Sequence, residues 1–495
     1  MMRKQHLILN AVAALLGACV GTYAQETPAP TQSIHRVELS IEEAVLRALE
    51  NNRALHVERL NPQIQRTFEA QARAAFDPVL SAGAAVSREE AIGGTNGNNN
   101  LTVTEGSVGL SQALPTGTEL GLELATDQAR GAASSEDYAT RAGLTVQQSL
   151  LQGFGTGASL ATLRQARLDT QFSEYELRGF AEALVAQIEA IYWDYVRGLR
   201  LAAIYEKSLN LAEQQAQETR ERIRVGDLAE TELAAAQAEV ARRQEALINL
   251  RSEVSTQQIR LWRLVQPGAL SSTQREWVPV SRPATPDIRL SPVEEHVAVA
   301  LQKRPDMNQA RLLIERGDVE LIRTRNGLLP RMDLFLRLGK TGYADSFGDS
   351  VQNLDGDAYD LSGGVNFEFP IINRDARARH RRAALVKAQA EESLLNIEDL
   401  IREDVETAYI EVERTRQQID ATATTRRFEE EKVRAEMAKF RVGKSTALLV
   451  AQAQRDLVLS EVAEVQAVIG CLKALANLYR LDGTLLERRG IASPG

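Results

Sequence analysis

Side chains able to do chemistry are sparse in this 495-residue chain, and their spacing argues against catalysis. Five histidines are scattered along it, and neither His296 nor His380 has a second His, Cys or Asp at ligand spacing. A metal site needs three or four such ligands to converge. Both histidines therefore read as solvated, and no metal or other cofactor is expected. The glycine patterns that cradle phosphate or a dinucleotide are absent, as are Gly-x-Ser-x-Gly and His-Glu-x-x-His. The run Arg374-Asp-Ala-Arg-Ala-Arg-His-Arg-Arg382 has the composition of a nucleic-acid patch. In a chain of net charge −9 it reads instead as a solvated first helical turn, meeting lipid or the carboxylates of a neighbouring subunit. No enzyme activity and no nucleic-acid partner are expected.

The spacing that does carry information is a repeat. Arg222 to Gln237, RIRVGDLAETELAAAQ, is echoed by Lys439 to Gln454, KFRVGKSTALLVAQAQ, with the two glycines 217 residues apart (443 − 226). In each copy an Ala/Leu/Glu/Arg-rich helical pattern runs to Arg-Val-Gly, breaks, and resumes. Gly226 and Gly443 suit the left-handed residue that ends a helix, and Asp227 or Ser445 would cap the next one. Two helical hairpins with matching tips imply an internally duplicated chain.

The elements around those tips repeat as well. Leu39-Ser40-Ile41-Glu42-Glu43-Ala44 opens a helix to about Ala75, with Ser40 as cap, and Leu290-Ser291-Pro292-Val293-Glu294-Glu295 opens its counterpart. Each helix is followed by a proline, Pro78 or Pro330, and then by period-two alternation. Met332, Leu334, Leu336 and Leu338 alternate with Asp333 and Arg337. Leu361, Val365, Phe367 and Phe369 alternate with Asp360, Asn366 and Glu368. The first half offers four such segments, at 78–89, 107–114, 119–124 and 138–150, against two in the second. From about Gly155 to Arg224 and from about Ala376 to Arg441 the pattern is helical, in arms of roughly 100 Å at 1.5 Å per residue. A return helix plus the next repeat's opening helix matches one arm in length, which predicts short helices stacked end to end beside long ones.

Compartment follows from the N-terminus. Arg3 and Lys4 precede an apolar run from Leu7 to Val20 and a small-residue site at Ala24, the pattern of an export signal. Leu16-Gly17-Ala18-Cys19 equally fits a lipoprotein box, with cleavage before Cys19 and its lipidation. With Cys471 the only other cysteine, no structural disulfide is expected. In an exported chain, one-face-apolar strands of about ten residues suit an outer-membrane β-barrel. Closing a barrel removes its strand edges, so several copies must contribute. An exported coiled-coil adaptor is the alternative, and it would lack alternating strands.

The duplicated openings, the strand-initiating prolines and the paired Arg-Val-Gly tips, from about Leu39 to Asp482, resemble the TolC-like outer-membrane efflux family. The resemblance implies an α+β membrane protein: long helical hairpins form a periplasmic tunnel, and the strands enter a trimeric outer-membrane barrel. It implies a passive channel in a tripartite efflux or secretion system, working as a homotrimer in outer-membrane lipid with a periplasmic adaptor and an inner-membrane transporter. The best-known member contributes four strands per protomer; here six are expected, making an eighteen-stranded barrel, the alternative being that Ser107 to Leu124 forms a flap outside the wall and leaves four. The division expected is a signal peptide at 1–24, a linker at 25–38, repeat one at 39–265, a mid-height linker at 266–290, repeat two at 291–482 and a tail at 483–495. Arg224, Val225, Gly226, Arg441, Val442 and Gly443 are the expected adaptor-docking tips. Glu232, paired with Lys444 or Ser445, and Phe440 are the expected gate, with Phe440 standing where the family has a tyrosine.

Overall fold

A computed structural model describes residues 35–91, 99–131, 134–267, 275–284 and 289–492. The export signal, Cys19 and most of the first linker lie outside the described residues. In chain order the elements are β1 (His35–Leu39), α1 (Ile41–Asn51), α2 (Arg53–Arg73), β2 (Val79–Ala91), β3 (Asn99–Ala113), β4 (Thr118–Gly131) and β5 (Ser134–Ser149). Then come α3 (Thr156–Ser159), α4 (Ala161–Arg224), α5 (Thr231–Val265), β6 (Arg275–Pro279), α6 (Val293–Lys303), α7 (Pro305–Asn326) and β7 (Arg331–Ala344). The chain ends with α8 (Phe347–Gln352), β8 (Tyr359–Glu368), α9 (Arg374–Arg441), α10 (Ala447–Leu481) and α11 (Leu485–Arg488).

Each half opens with two helices where one was expected, and the breaks have local causes. Ser40 caps α1 by accepting from Glu43 N at 3.1 Å, but Asn52 turns extended and ends it. The Asn52 side chain then accepts from Ala54 N and Leu55 N, restarting the helix as α2, while its amide donates to Leu264 O at the end of α5. In the second half Pro305 does the same work, because the residue before a proline is pushed to extended angles and Pro itself suits a first helical turn. The Asn52–Leu264 bond also corrects the stacking: α5 abuts the opening helix of its own half, not of the next. The long linker makes this feasible by carrying the chain to the second half and lending β6 to a parallel pair with β1.

The arms α4 and α9 have 64 and 68 residues, or about 96 and 102 Å. Burial concentrates halfway along them. Tyr192 and Tyr195, midway in α4, are fully buried; the Tyr192 hydroxyl donates to Leu39 O at 3.0 Å and the Tyr195 hydroxyl to Trp277 O at 2.7 Å. Trp277 on β6 packs against Trp262 of α5, with ring centroids 5.1 Å apart. Around them lie Val185, Ile188, Leu261, Ile401, Val405 and Leu478. β1 and β6 thus lie against the middle of α4, each with one carbonyl, Leu39 O or Trp277 O, anchored by a buried tyrosine.

Above the arms, six strands form one antiparallel sheet in the order β2-β3-β4-β5-β7-β8. The small-residue segment Val79–Ala91 is a full member: Val86 faces Thr104 and Leu80 faces Leu110. β2 and β8 are the open edges.

Candidate functional site

Both tips close in the same way. Val225 ends α4, Gly226 takes φ +84°, its N–H bonds Ile223 O at 3.0 Å, and Asp227 N bonds Arg222 O at 2.8 Å. Val442 ends α9, Gly443 takes φ +75°, its N–H bonds Phe440 O at 3.1 Å, and Lys444 N bonds Lys439 O at 2.8 Å. This double bond pattern satisfies the last helical carbonyls and needs a left-handed residue at its centre. A Cβ on either glycine would meet nothing within 4 Å. Arg224, Val225, Arg441 and Val442 are all exposed around them. The caps differ from expectation: Asp227 lies 3.8 Å from Arg222, and Glu230 occupies the start of α5 without a side-chain bond. At α10 the cap is Thr446, which accepts from Leu449 N, one residue beyond Ser445.

The four gate candidates are not gathered within one chain. The Ser445 hydroxyl donates to Glu436 Oε2 at 2.8 Å, and Lys439 binds the same carboxylate at 2.6 Å. Lys439 first, then Ser445, holds the Glu436 carboxyl below its usual range. Glu232 sits half-buried in the first turn of α5, and Lys444 is exposed. Phe440 does pack between hairpins, but its partner is Arg222, whose guanidinium lies 5.0 Å from the ring centroid. Such a contact contributes about 0.5–1 kcal/mol at exposed sites.

A stronger tie, within the first hairpin, lies above the tips. Buried Arg243 donates to Glu239 Oε1 at 3.1 Å and to the carbonyl and hydroxyl of Ser208 at 2.7 Å each, joining α5 to α4. Arg455 of α10 comes within 4.0 Å of Glu239 from the other hairpin. At mid-height, His296 is buried, not solvated: its Nδ1 is 2.9 Å from Asp482 Oδ2. His380 is half-buried against the Thr324 hydroxyl. Nearby, Arg489 grips buried Glu189 through two bonds of 2.6 and 2.7 Å. Glu182, 2% exposed, receives Arg178 Nε at 3.2 Å, yet burial outweighs that bond and pushes its carboxyl up to about 7. Among the described residues no His/Cys/Asp/Glu group is placed to hold a metal.

The sheet has two unlike faces. Leu80, Leu110, Leu122, Leu144, Leu338 and Leu361 stand directly opposite one another across all six strands, and every one is exposed. On the other face Ser81, Gly109, Glu123, Gly143, Gly339 and Asp360 form the adjacent row. There Arg141 of β5 reaches over β7 to Asp360 of β8, at 3.0 and 2.7 Å. Gly339 makes room for this crossing, since a Cβ there would lie 2.4 Å from Asp360 Oδ1. A leucine row left exposed opposite a charged row is the alternation of barrel strands that face lipid on one side and water on the other. No helix among the described residues is long and apolar enough to cross a membrane.

Comparison with known proteins agrees with this division. Residues 297–484 match the family described as outer membrane efflux protein. The outer membrane efflux protein BepC of Brucella suis is 26% identical over 364 residues, covering 72% of this chain and 75% of that one. Among solved structures, the outer-membrane channel OprN superposes with a TM-score of 0.69 at 18% identity, over 90% of each chain. The Campylobacter jejuni CmeC outer membrane channel gives 0.67 at 15% identity, over 90% of this chain and 86% of that one.

Proposed function

We infer that this chain is a TolC-like outer-membrane efflux protein, the outer-membrane channel component of a tripartite efflux system with a periplasmic tunnel. The observation that carries the mechanism is the six-stranded sheet with one exposed leucine face, one charged face and two unpaired edges. Open edges inside a bilayer leave backbone groups without partners, so β2 of one copy pairs with β8 of the next until the wall closes. Three copies make eighteen strands, with the leucine row against lipid and the charged row in the lumen. Below the sheet, α2 leaves Val57, Leu60, Ile64 and Phe68 exposed, and α9 leaves Leu385, Leu395 and Leu400 exposed. These stripes fit a head-to-tail ring in which α2 of one copy packs on α9 of its neighbour from Leu385 downward, below the first turns of α9.

Substrate passes through this conduit by a pump's work, since nothing in the pore supplies energy. The pump is an inner-membrane transporter, and a periplasmic adaptor joins it to the tips at Arg224–Gly226 and Arg441–Gly443. The bare glycines permit close backbone approach there. Glu232 and Lys444, without side-chain partners among the described residues, meet across the closed threefold seam, with Ser445 held beside them on Glu436 and Phe440 stacked on Arg222. Cys19 is the site of lipidation if the leader is cut before it.

Fractionation tests the central reading. Trimers resistant to detergent in the outer membrane, conducting ions in planar bilayers, are expected. Soluble monomer in the periplasm would instead support an adaptor.

A further inference from the structure

We propose that Arg374, Arg377 and Arg381 form a collar that binds the phosphate headgroups of phospholipid at the periplasmic face of the membrane. The proposal rests on the sheet being a membrane wall. All three arginines are exposed, and none has a carboxylate within ion-pair distance among the described residues. At 100° per residue they fall within about 60° of one another on α9, and Arg374 to Arg381 spans about 10 Å. The headgroup zone of one leaflet is about 5–8 Å deep, so a lipid phosphate meets at least two of them at once. Arg379, about 140° round the helix from Arg374, is already occupied by Asp375.

Position supplies the second argument. Just before the collar the chain exposes Phe367, Phe369, Ile371 and Ile372, with Ile371 87% exposed. Apolar side chains so bare, at the foot of a leucine-faced sheet, mark where acyl chains end; unpaired arginines one short turn further sit where headgroups begin. The duplication shows that the fold does not require the charges. The positions 217 residues earlier hold Gly157, Leu160 and Arg164, and that half builds its arm with only one of the three. Guanidinium groups bind phosphate through paired N–H donors, which a stacked or merely solvated arginine would not use.

The test uses the purified full-length trimer in detergent, titrated with phosphatidylglycerol, phosphatidylcholine or inorganic phosphate and read by native mass spectrometry. Wild type should retain phosphatidylglycerol over phosphatidylcholine. R374Q/R377Q/R381Q should lose that retention by roughly tenfold, the attraction of three arginines being reduced by screening. R374K/R377K/R381K should keep most of it, which guards against a variant that simply misassembles. Retention unchanged in the Gln triple overturns the collar. So does full competition by millimolar phosphate, which would mean a free-anion site, or a shifted reversal potential with lipid retention intact, which would place the arginines in the lumen. Failure of wild type itself to form channels would strike the membrane-wall reading and not the collar.

Discussion

At the scale of single residues, the consequential group is Glu182, a buried carboxyl on α4 that burial pushes up to about 7. An unfolded glutamate titrates near 4.3, so folding raises this one. Its contribution is then fully present below about pH 4.3 and is lost as pH rises through about 7, because the unfolded chain gives up the proton more readily. The shift corresponds to about 4 kcal/mol at most. Glu182→Gln keeps the neutral shape, so it should flatten the fall in apparent melting temperature between about pH 4.5 and 7 and leave the variant more stable at pH 8. Parallel curves for the two proteins would contradict this. The tip glycines make a different residue-scale case. Ala at Gly226 or Gly443 meets open space but a positive φ, a penalty of about 1 kcal/mol. Leu at both should therefore leave trimers folded while efflux from cells fails; preserved efflux would remove the docking role. For the gate, Glu232→Ala with Lys444→Ala should raise closed-state conductance in planar bilayers. Each exposed pair contributes only about 0–1 kcal/mol, but a threefold seam repeats it.

At the scale of elements, legibility follows distance along the chain. The tips were readable because a helix end, its glycine and its closing bonds lie within six residues. The strand Leu361–Phe369 was readable because alternation is local. What escaped reading depends on partners far away in sequence. Asn52 breaks the opening helix beside a carbonyl 212 residues on, and His296 is buried by Asp482, 186 residues on. The Arg141–Asp360 crossing spans 219 residues and depends on a glycine in the strand between. Another glycine supports an element test. An added Cβ at Gly342 would fall 2.1 Å from Ser350 O and 2.8 Å from Asn353 C, both backbone atoms of the α8 segment that lies on β7. Backbone cannot swing aside as a side chain can. Gly342→Ala should therefore lift α8 off the wall while the sheet persists, seen as faster proteolysis between residues 345 and 357 in intact trimers. An unchanged cleavage rate would mean the segment relaxes in place.

At the scale of the whole molecule, the charged face of the sheet sets what the barrel favours. Strand alternation places Glu89, Glu105, Glu119, Glu123, Asp127, Asp333, Asp360 and Glu368 on that face, against Arg141, Arg331 and Arg337. Among the described residues the eight acidic groups exceed the three basic ones in each copy, and in the proposed trimer the excess would repeat threefold around one lumen. Arg141 is tied to Asp360 and Arg331 to Asp333, so two of the three positive charges are already neutralised at short range. The remaining field acts on ions passing within about 8–10 Å at physiological salt, a range that weakens as salt rises. A ring of like charges in a low-dielectric wall concentrates counter-ions and excludes co-ions. Reconstituted trimers under a potassium chloride gradient should therefore show a reversal potential of cation-selective sign, declining as total salt increases. Glu123→Gln with Glu105→Gln should reduce it without changing trimer yield, because neither carboxylate is buried. An anion-selective wild type would mean that the charged row does not line the lumen, and the assignment of the leucine row to lipid would fall with it.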